Sequence, residues 1–304
     1  MLVTKVLSRI KQINKLLEVE KCRRGIPVKS LLFIGVADTA NFYWCPMKSL
    51  LSNIDMEPLY FMSYLHDRLL YSLKLGYVKT FPRDVEKLLS IGEEIGFSDI
   101  EKLLREQTHD DSEKPPYFVT FSTFTSEGPT KCMVLNPSLS PAVRDRLEKL
   151  AKKKRISIVS LDEIPPKLRG EICEDFLAER YPTIRWNFEW ENYVIVGVPD
   201  GITEDFVYEF KTTGSEFLLG YMERSALAQG DLYGFFFRRQ NKRVQIYVVN
   251  QAETYTWHEK VDTNVAISLL KAFKRFDETR EFTFPEKWKC RNCSFRRICK
   301  QKYR

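Results

Sequence analysis

No run of eighteen apolar residues occurs anywhere in the 304 residues, so a membrane-spanning helix is not expected. The opening stretch, MLVTKVLSRIKQINKLLEVEKCRRG, alternates basic and apolar residues without the apolar core of a secretory leader. It predicts a helix rather than a signal peptide, and with it a soluble, cytoplasmic protein with no membrane partner. There is no G-x4-G-K followed by Ser or Thr, which excludes a P-loop motor. Internal repeats and low-complexity tracts are absent, and seven cysteines, an odd number, argue against a disulfide framework. What is present is ample core material: 43% of the residues are hydrophobic and 13% aromatic, compatible with one large domain or two smaller ones.

The most informative segment is VIVGVPDGITEDFVYEFKT, from Val194 to Thr212. An apolar run delivers Asp200 to a Pro/Gly turn, and a second run carries Glu209 and Lys211 two residues apart, on one face of a strand. Carboxylate oxygens suit Mg²⁺ or Mn²⁺, and an ammonium beside them can orient or help deprotonate a water. Taken alone, the pattern also fits a surface hairpin with a structural Glu/Lys pair. Eighteen residues after Lys211, the run SALAQGDLYGFFFRR predicts a helix with Gln229 and Tyr233 one turn apart. KRVQIYVVN, from Lys242, then reads as a strand. The order is strand, carboxylate strand, helix, strand.

These residues resemble the RecB-type PD-(D/E)xK nucleases, which carry an Asp, a Glu-x-Lys and a Gln-xxx-Tyr in this order; Pro199-Asp200 and Glu209-Phe210-Lys211 fit the pattern. The likeness spans roughly Leu168 to Phe276. It implies that Asp200, Glu209 and the Phe210 carbonyl bind the metal, that Lys211 positions the attacking water, and that Gln229 and Tyr233 orient substrate. The family also carries a Gly-xxx-His helix upstream of the Asp. Here KLRGEICEDFLAERY has Gly170 but Glu174 in the histidine's place. Glu174 either joins the metal site or belongs, with Glu171, Asp175 and Glu179, to a solvated helix face. His66 is a remoter candidate, read as a surface or core-edge histidine.

Three cysteines crowd the C-terminus as Cys290-x2-Cys293-x5-Cys299, and Cys45, followed by Pro46, stands far upstream. This layout is similar to that of iron-sulfur nucleases related to RecB, among them the CRISPR-associated protein four family. The resemblance implies a 4Fe-4S cluster on Cys45, Cys290, Cys293 and Cys299, acting first as a structural staple. Four thiolates would equally suit Zn²⁺, and spacing alone does not exclude it. Cys22, Cys132 and Cys173 have no partner pattern and read as small buried hydrophobes.

The net charge is +7, and the segment from Glu286 to Arg304 carries all of it, with eight Lys or Arg against one acid. With Trp288, Phe295 and Tyr303 interleaved, this tail reads as a contact for the phosphates and bases of single-stranded DNA. The other reading is a solvated tail that balances the charge of a thiolate-bound cluster. Between Cys45 and the nuclease core, EPLYFMSYLHDRLLYSLKLG, RDVEKLLSIGEEIG and DIEKLLREQ predict helices, HDDSEKPP an exposed loop, PYFVTFSTF a strand, PAVRDRLEKLAKKKR a helix and ISIVSLDEIPP a strand. This insert could arch over the site, pack as a subdomain or bind another protein.

The expected architecture is therefore an α/β protein with a RecB-like core, a central mixed sheet flanked by helices. Residues 1–60 form an N-terminal region supplying one cluster cysteine, 61–164 a helix-rich insert, 165–285 the nuclease core and 286–304 the basic cysteine segment. The expected function is a metal-dependent DNA exonuclease that processes fragments for CRISPR spacer acquisition, with CRISPR integrase proteins as partners. The alternative is a non-catalytic DNA-binding subunit of such a complex.

Overall fold

Strand β1 (Phe33–Gly35) is wholly buried and runs directly into a short helix, α1 (Val36–Ala40). In this computed structural model the described residues are 31–76, 96–107, 115–125, 128–281, 283, 285–291 and 293–302. Cys22, the helix expected from Arg83, most of the loop from His109 and Tyr303 lie outside them. After α1 come α2 (Pro46–Lys74), α3 (Phe97–Glu106), β2 (Phe118–Thr125), β3 (Gly128–Leu135), α4 (Pro141–Lys154) and β4 (Ser157–Ile158). They are followed by α5 (Pro166–Leu177), β5 (Trp186–Trp190), β6 (Tyr193–Gly197), β7 (Gly201–Ile202), β8 (Phe206–Thr213) and α6 (Leu219–Phe237). The chain continues through β9 (Asn241–Val248), β10 (Glu253–Lys260), α7 (Thr263–Thr279) and α8 (Arg296–Lys302). No described helix is long and apolar enough to cross a membrane.

The protein is mixed α/β, and its sheets are themselves mixed. In the first sheet, ordered β1-β6-β5, β1 runs parallel to β6 and β5 antiparallel to it. In the second, ordered β10-β9-β8-β7, only β8 and β9 are parallel, and α6 is the crossover that this pairing requires. The third, β2-β3-β4, belongs to the insert. The expected single central sheet is thus divided in two. Its break lies at Pro199-Asp200, where the chain turns out of β6, and β7 then pairs with β8 over only two residues. Proline has no N–H to continue a ladder.

Alternation along the strands explains the layering. On the first sheet, Phe33, Val194 and Val196 face α2 through Phe61, Tyr64 and Leu65. Ile34, Tyr193 and Ile195 face the main core with Leu232 and Phe237 of α6 and Phe273 of α7. Full burial of each such side chain is worth about 1.5–3 kcal/mol. On the second sheet Tyr208, Phe210 and Tyr247 pack on Ile172, Cys173 and Phe176 of α5. Val244 and Ile246 pack on Ala226 of α6. Gly234 permits the close approach of α6 to the β10–α7 connection, since a Cβ there would lie 2.2 Å from a Val261 methyl.

Helix α2 is longer than the sequence reading allowed. It starts with Pro46 in its first turn and continues through Pro58, so the boundary expected after residue 60 falls inside it. Two buried polar side chains explain why it lies where it does. Glu57 accepts the N–H groups of Leu32 (2.8 Å) and Phe33 (3.3 Å), and Asn53 that of Gly35 (2.8 Å). Further along, Asp67 pairs with Arg185, and Arg68 donates to Asn187 (2.9 Å). Within the insert, α3 adds Ile100, Leu103 and Leu104 to the main core. His66 sits on the exposed side of α2, 3.4 Å from the Asp67 carboxylate.

Candidate active site

The Pro199–Gly201 turn brings Asp200 back against β8, where its Oδ2 accepts the N–H of Phe210 at 2.7 Å. In an extended strand the N–H and C=O of one residue point to the same edge, so the Phe210 carbonyl faces the Asp200 side as well. The turn is held from outside: Ile202 donates to the Pro182 carbonyl at 2.7 Å, and the Thr183 hydroxyl donates to that of Pro199.

Glu209 and Lys211 project from β8 toward α6, while Tyr208 and Phe210 face α5. Glu209 is 1% exposed and its Oε1 accepts both from Gln229 Nε2, at 2.7 Å, and from the Lys211 ammonium. Its other oxygen, Oε2, is buried with no hydrogen-bond partner. The Tyr233 hydroxyl donates to the Val198 carbonyl at 2.9 Å. Gly197 leaves room for its ring, since a Cβ there would lie 2.9 Å from Tyr233 Cε1. Gln229 and Tyr233, expected to touch substrate, are instead spent inside the protein, one on Glu209 and the other on the strand that leads to Asp200. The Asp231 between them forms a buried pair with Lys242 (2.6 Å) and accepts the Asp262 N–H (2.8 Å), fixing α6 to β9 and to the start of α7.

The electrostatics follow from this crowding. Burial, then the Asp200 charge, pushes the Glu209 carboxyl up to about 8, and Lys211 only partly offsets them. Burial works against the Lys211 ammonium, but Glu209, Asp200 and Glu174 outweigh it and hold the lysine above its ordinary value. Burial also raises Tyr233, with Glu209 and Asp200 adding to the shift, so it stays a phenol. Glu174 lies on the outward side of α5, within electrostatic reach of Asp200, Lys211 and Glu209. Its carboxyl is raised first by desolvation and then by Asp200. The structure therefore places it at the rim of the cluster.

Because folded Glu209 holds its proton more tightly than an unfolded chain, where it titrates near 4.5, the metal-free protein has this group's full contribution below that pH. It loses the contribution as the pH rises toward 8. Glu209→Gln should therefore raise the Tm of the metal-free protein at pH 8 by roughly 5 °C, with the gain vanishing near pH 4. The remaining Lys211 is 30% exposed and keeps Asp200 and Glu174 in reach, so no charge is stranded. A Tm at pH 8 equal to or below that of the wild type would refute this.

A second cluster gathers at the other end of α6. Cys45 directly precedes α2, and Cys290, Cys293 and Cys299 lie on the C-terminal segment; all four are free and half-buried. Burial raises the Cys45 thiol, with Cys293 and Cys290 adding to it; burial likewise raises Cys299, followed by Cys45, Cys290 and Cys293. The four thiols thus stand within electrostatic reach of one another. Cys299 also packs against the main core, as does Phe295. Cys132 and Cys173 are buried elsewhere, and burial pushes the Cys173 thiol up to about 11.

The segment is seated by an aromatic cluster with no counterpart in the sequence reading. The Trp288 ring lies 5.4 Å from Trp44, 5.3 Å from Tyr221 and 5.4 Å from Phe217. The Lys289 ammonium, 7% exposed, sits 4.6 Å from the Tyr221 ring centre and 5.1 Å from that of Trp44, and pairs with Glu286 at 2.8 Å. Trp288 and Phe295 are therefore committed to packing rather than free to stack on bases. Trp44, just before the cysteine, and the tyrosine at the start of α6 gave no spacing signal that would have joined them to residue 288.

Among the described residues no three His, Cys, Asp or Glu side chains converge as a ready-made ion site. Mg²⁺ is commonly held by one or two carboxylates with water completing its shell, and Asp200, the orphaned oxygen of Glu209 and the Phe210 carbonyl edge fit that donor set. The four thiols have the chemistry for iron-sulfur or zinc ligation, which requires their thiolate forms.

No family model matches the chain, and no curated protein does. Among solved structures, the crystal structure of SSO0001 aligns with 42% of this chain and 63% of that one, at 19% identity and a TM-score of 0.30. That likeness carries neither a fold nor an activity over to this protein. What is established is a mixed α/β protein with mixed sheets.

Proposed function

We propose that the chain is a metal-dependent DNA exonuclease of the RecB-like PD-(D/E)xK type, stapled by an iron-sulfur cluster, that trims DNA fragments before their insertion as CRISPR spacers. The observation that carries the reading is the buried, unpartnered Oε2 of Glu209 beside the Asp200 carboxylate. Such an arrangement is costly unless a cation completes it. Asp200, Glu209 and the Phe210 carbonyl are the residues to hold Mg²⁺ or Mn²⁺. When bound, the ion supplies Lewis-acid polarisation of the phosphodiester and makes the attacking water more acidic.

The chain's own residues do the rest. The Lys211 ammonium, bonded to Glu209 and part exposed, orients the water and stabilises charge developing on the phosphate. Gln229 fixes the rotamer of Glu209, and Tyr233 anchors the strand end that carries Asp200. These two are positioning residues. Glu174 at the rim adds a further carboxylate, so Glu174→Ala should raise the Mn²⁺ concentration needed for half-maximal cleavage by about tenfold. An unchanged metal titration would return Glu174 to the solvated helix face.

The deciding assay incubates the purified protein with end-labelled single- and double-stranded DNA, with Mn²⁺, with Mg²⁺ and with EDTA. Progressive shortening from an end that requires the divalent ion is expected. Binding without cleavage under every ion would overturn the enzyme reading and leave a DNA-binding subunit.

A further inference from the structure

The 3₁₀ turn Glu216–Leu218, which links β8 to α6, presents Phe217 with 69% of its surface exposed. No other large apolar side chain among the described residues is as open. The ring is nonetheless supported on its inner side: it packs edge-on against Trp288 (5.4 Å) and lies 6.3 Å from Tyr221, itself 36% exposed. An aromatic ring backed by other rings and open to water on its outer side is what an unpaired base needs for stacking.

Two further features point to a nucleic-acid strand as the occupant. The aromatic cluster is built partly on the C-terminal segment, whose Lys287, Arg291, Arg296 and Arg297 are exposed and which carries the chain's whole net charge of +7. Exposed cations on the segment that backs an aromatic platform complement a sugar-phosphate backbone and do not favour an apolar protein partner. Phe217 also follows Lys211 by six residues, so its Cα lies at most about 22 Å from that of Lys211, a span that one substrate strand can bridge.

We infer that Phe217, backed by Trp288 and Tyr221, is a base-stacking site for single-stranded DNA, which holds the strand leading to the Asp200–Glu209–Lys211 cluster. The inference rests on the nuclease reading above, because it assigns the subsite through which that substrate is gripped.

The test is fluorescence anisotropy of the full-length protein with a labelled thymine 20-mer and with a blunt duplex, in Ca²⁺ at several salt concentrations. Phe217→Ala should weaken single-strand binding by about tenfold, leave blunt-duplex binding unchanged, and leave the slope of log affinity against log salt unchanged, since stacking releases no counterions. Phe217→Trp should restore single-strand affinity. As the side chain is mostly exposed, the Tm of both variants should stay close to that of the wild type.

Single-strand affinity equal to wild type in Phe217→Ala would overturn the stacking site while leaving the nuclease reading intact. Loss of single-strand and duplex binding alike would also overturn it, as would a change from dimer to monomer with DNA affinity retained, which would give the surface to a second copy. A wild-type protein that binds neither DNA would fail the nuclease reading itself.

Discussion

Asp200→Asn and Glu209→Gln should each lower divalent-dependent DNA cleavage by about a thousandfold, with no loss of fold. The amide variants are preferred to alanine for a reason visible in the site. Asp200 accepts the Phe210 N–H at 2.7 Å, and Glu209 accepts from Gln229 at 2.7 Å. Alanine would strand both donors at a cost of about 1–3 kcal/mol each and confuse lost structure with lost chemistry. An amide oxygen keeps either bond and removes only the negative charge. Glu209→Gln is the sharper of the two, being expected to be more stable than wild type without metal and yet inactive with it. The measurement pairs initial rates on end-labelled DNA with thermal melts. Wild-type rates in both variants would dismiss the carboxylate cluster as the catalytic centre.

Cys45→Ala should abolish iron binding in anaerobically purified protein, remove its visible colour, and lower its Tm by about 10 °C or more. The size follows from where the residue sits. Cys45 stands at the start of α2, the helix that covers one face of the β1-β6-β5 sheet, while Cys290, Cys293 and Cys299 lie more than 240 residues later. A cluster bridging them closes a very long loop. The aromatic seat formed by Trp44, Tyr221, Trp288 and Lys289 remains in the variant and keeps the C-terminal segment from detaching completely. Cys132→Ala and Cys173→Ala should leave iron content unchanged. Full iron loading in Cys45→Ala would sink the four-thiol assignment, and stoichiometric zinc in the wild-type protein would replace iron-sulfur by a zinc staple.

The parts of this molecule that sequence revealed are those where burial enforces periodicity. VIVGV became β6, FVYEFK became β8, and QGDLY fell within α6, because apolar residues there face packed neighbours on both sides. Strand β10, ETYTWHEK, escaped notice: it lies mostly exposed at a sheet edge, so its composition is polar. Strand β3 begins with Gly-Pro-Thr-Lys and becomes apolar only in its second half, where Met133 and Leu135 meet α4. The full length of α2 was hidden by its two prolines, each a plausible helix start. Pro58 is tolerated inside because Glu57, Phe61 and Tyr64 anchor the turns around it.

For the candidate residues, placement on strand and helix faces was legible and their bonding was not. Glu209 and Lys211 could be put on one face from their spacing, and Gln229 and Tyr233 on one side of a helix. That the amide is consumed by Glu209 and the phenol by the Val198 carbonyl depends on how closely α6 approaches the sheets, which Gly197 and Gly234 permit. Rim position for Glu174 likewise needed the packing of α5 on Tyr208 and Phe210. The aromatic seat of the C-terminal segment joins three distant stretches of chain, and no local pattern announces it.

The acceptors that α2 and α7 offer to β1 have a consequence for how this protein meets others. A strand at the border of a sheet ordinarily presents a row of free N–H groups, to which a strand from another molecule can add. Among the described residues β1 is such a border strand; the N–H groups of Phe33 and of Leu32 just before it are taken by Glu57, that of Gly35 by Asn53, and that of Leu31, two residues ahead of the strand, by Asp277. Strand addition at that border would have to displace three buried side-chain acceptors, two of them carboxylates. Among the described residues that border is therefore closed to the addition of a strand from another molecule.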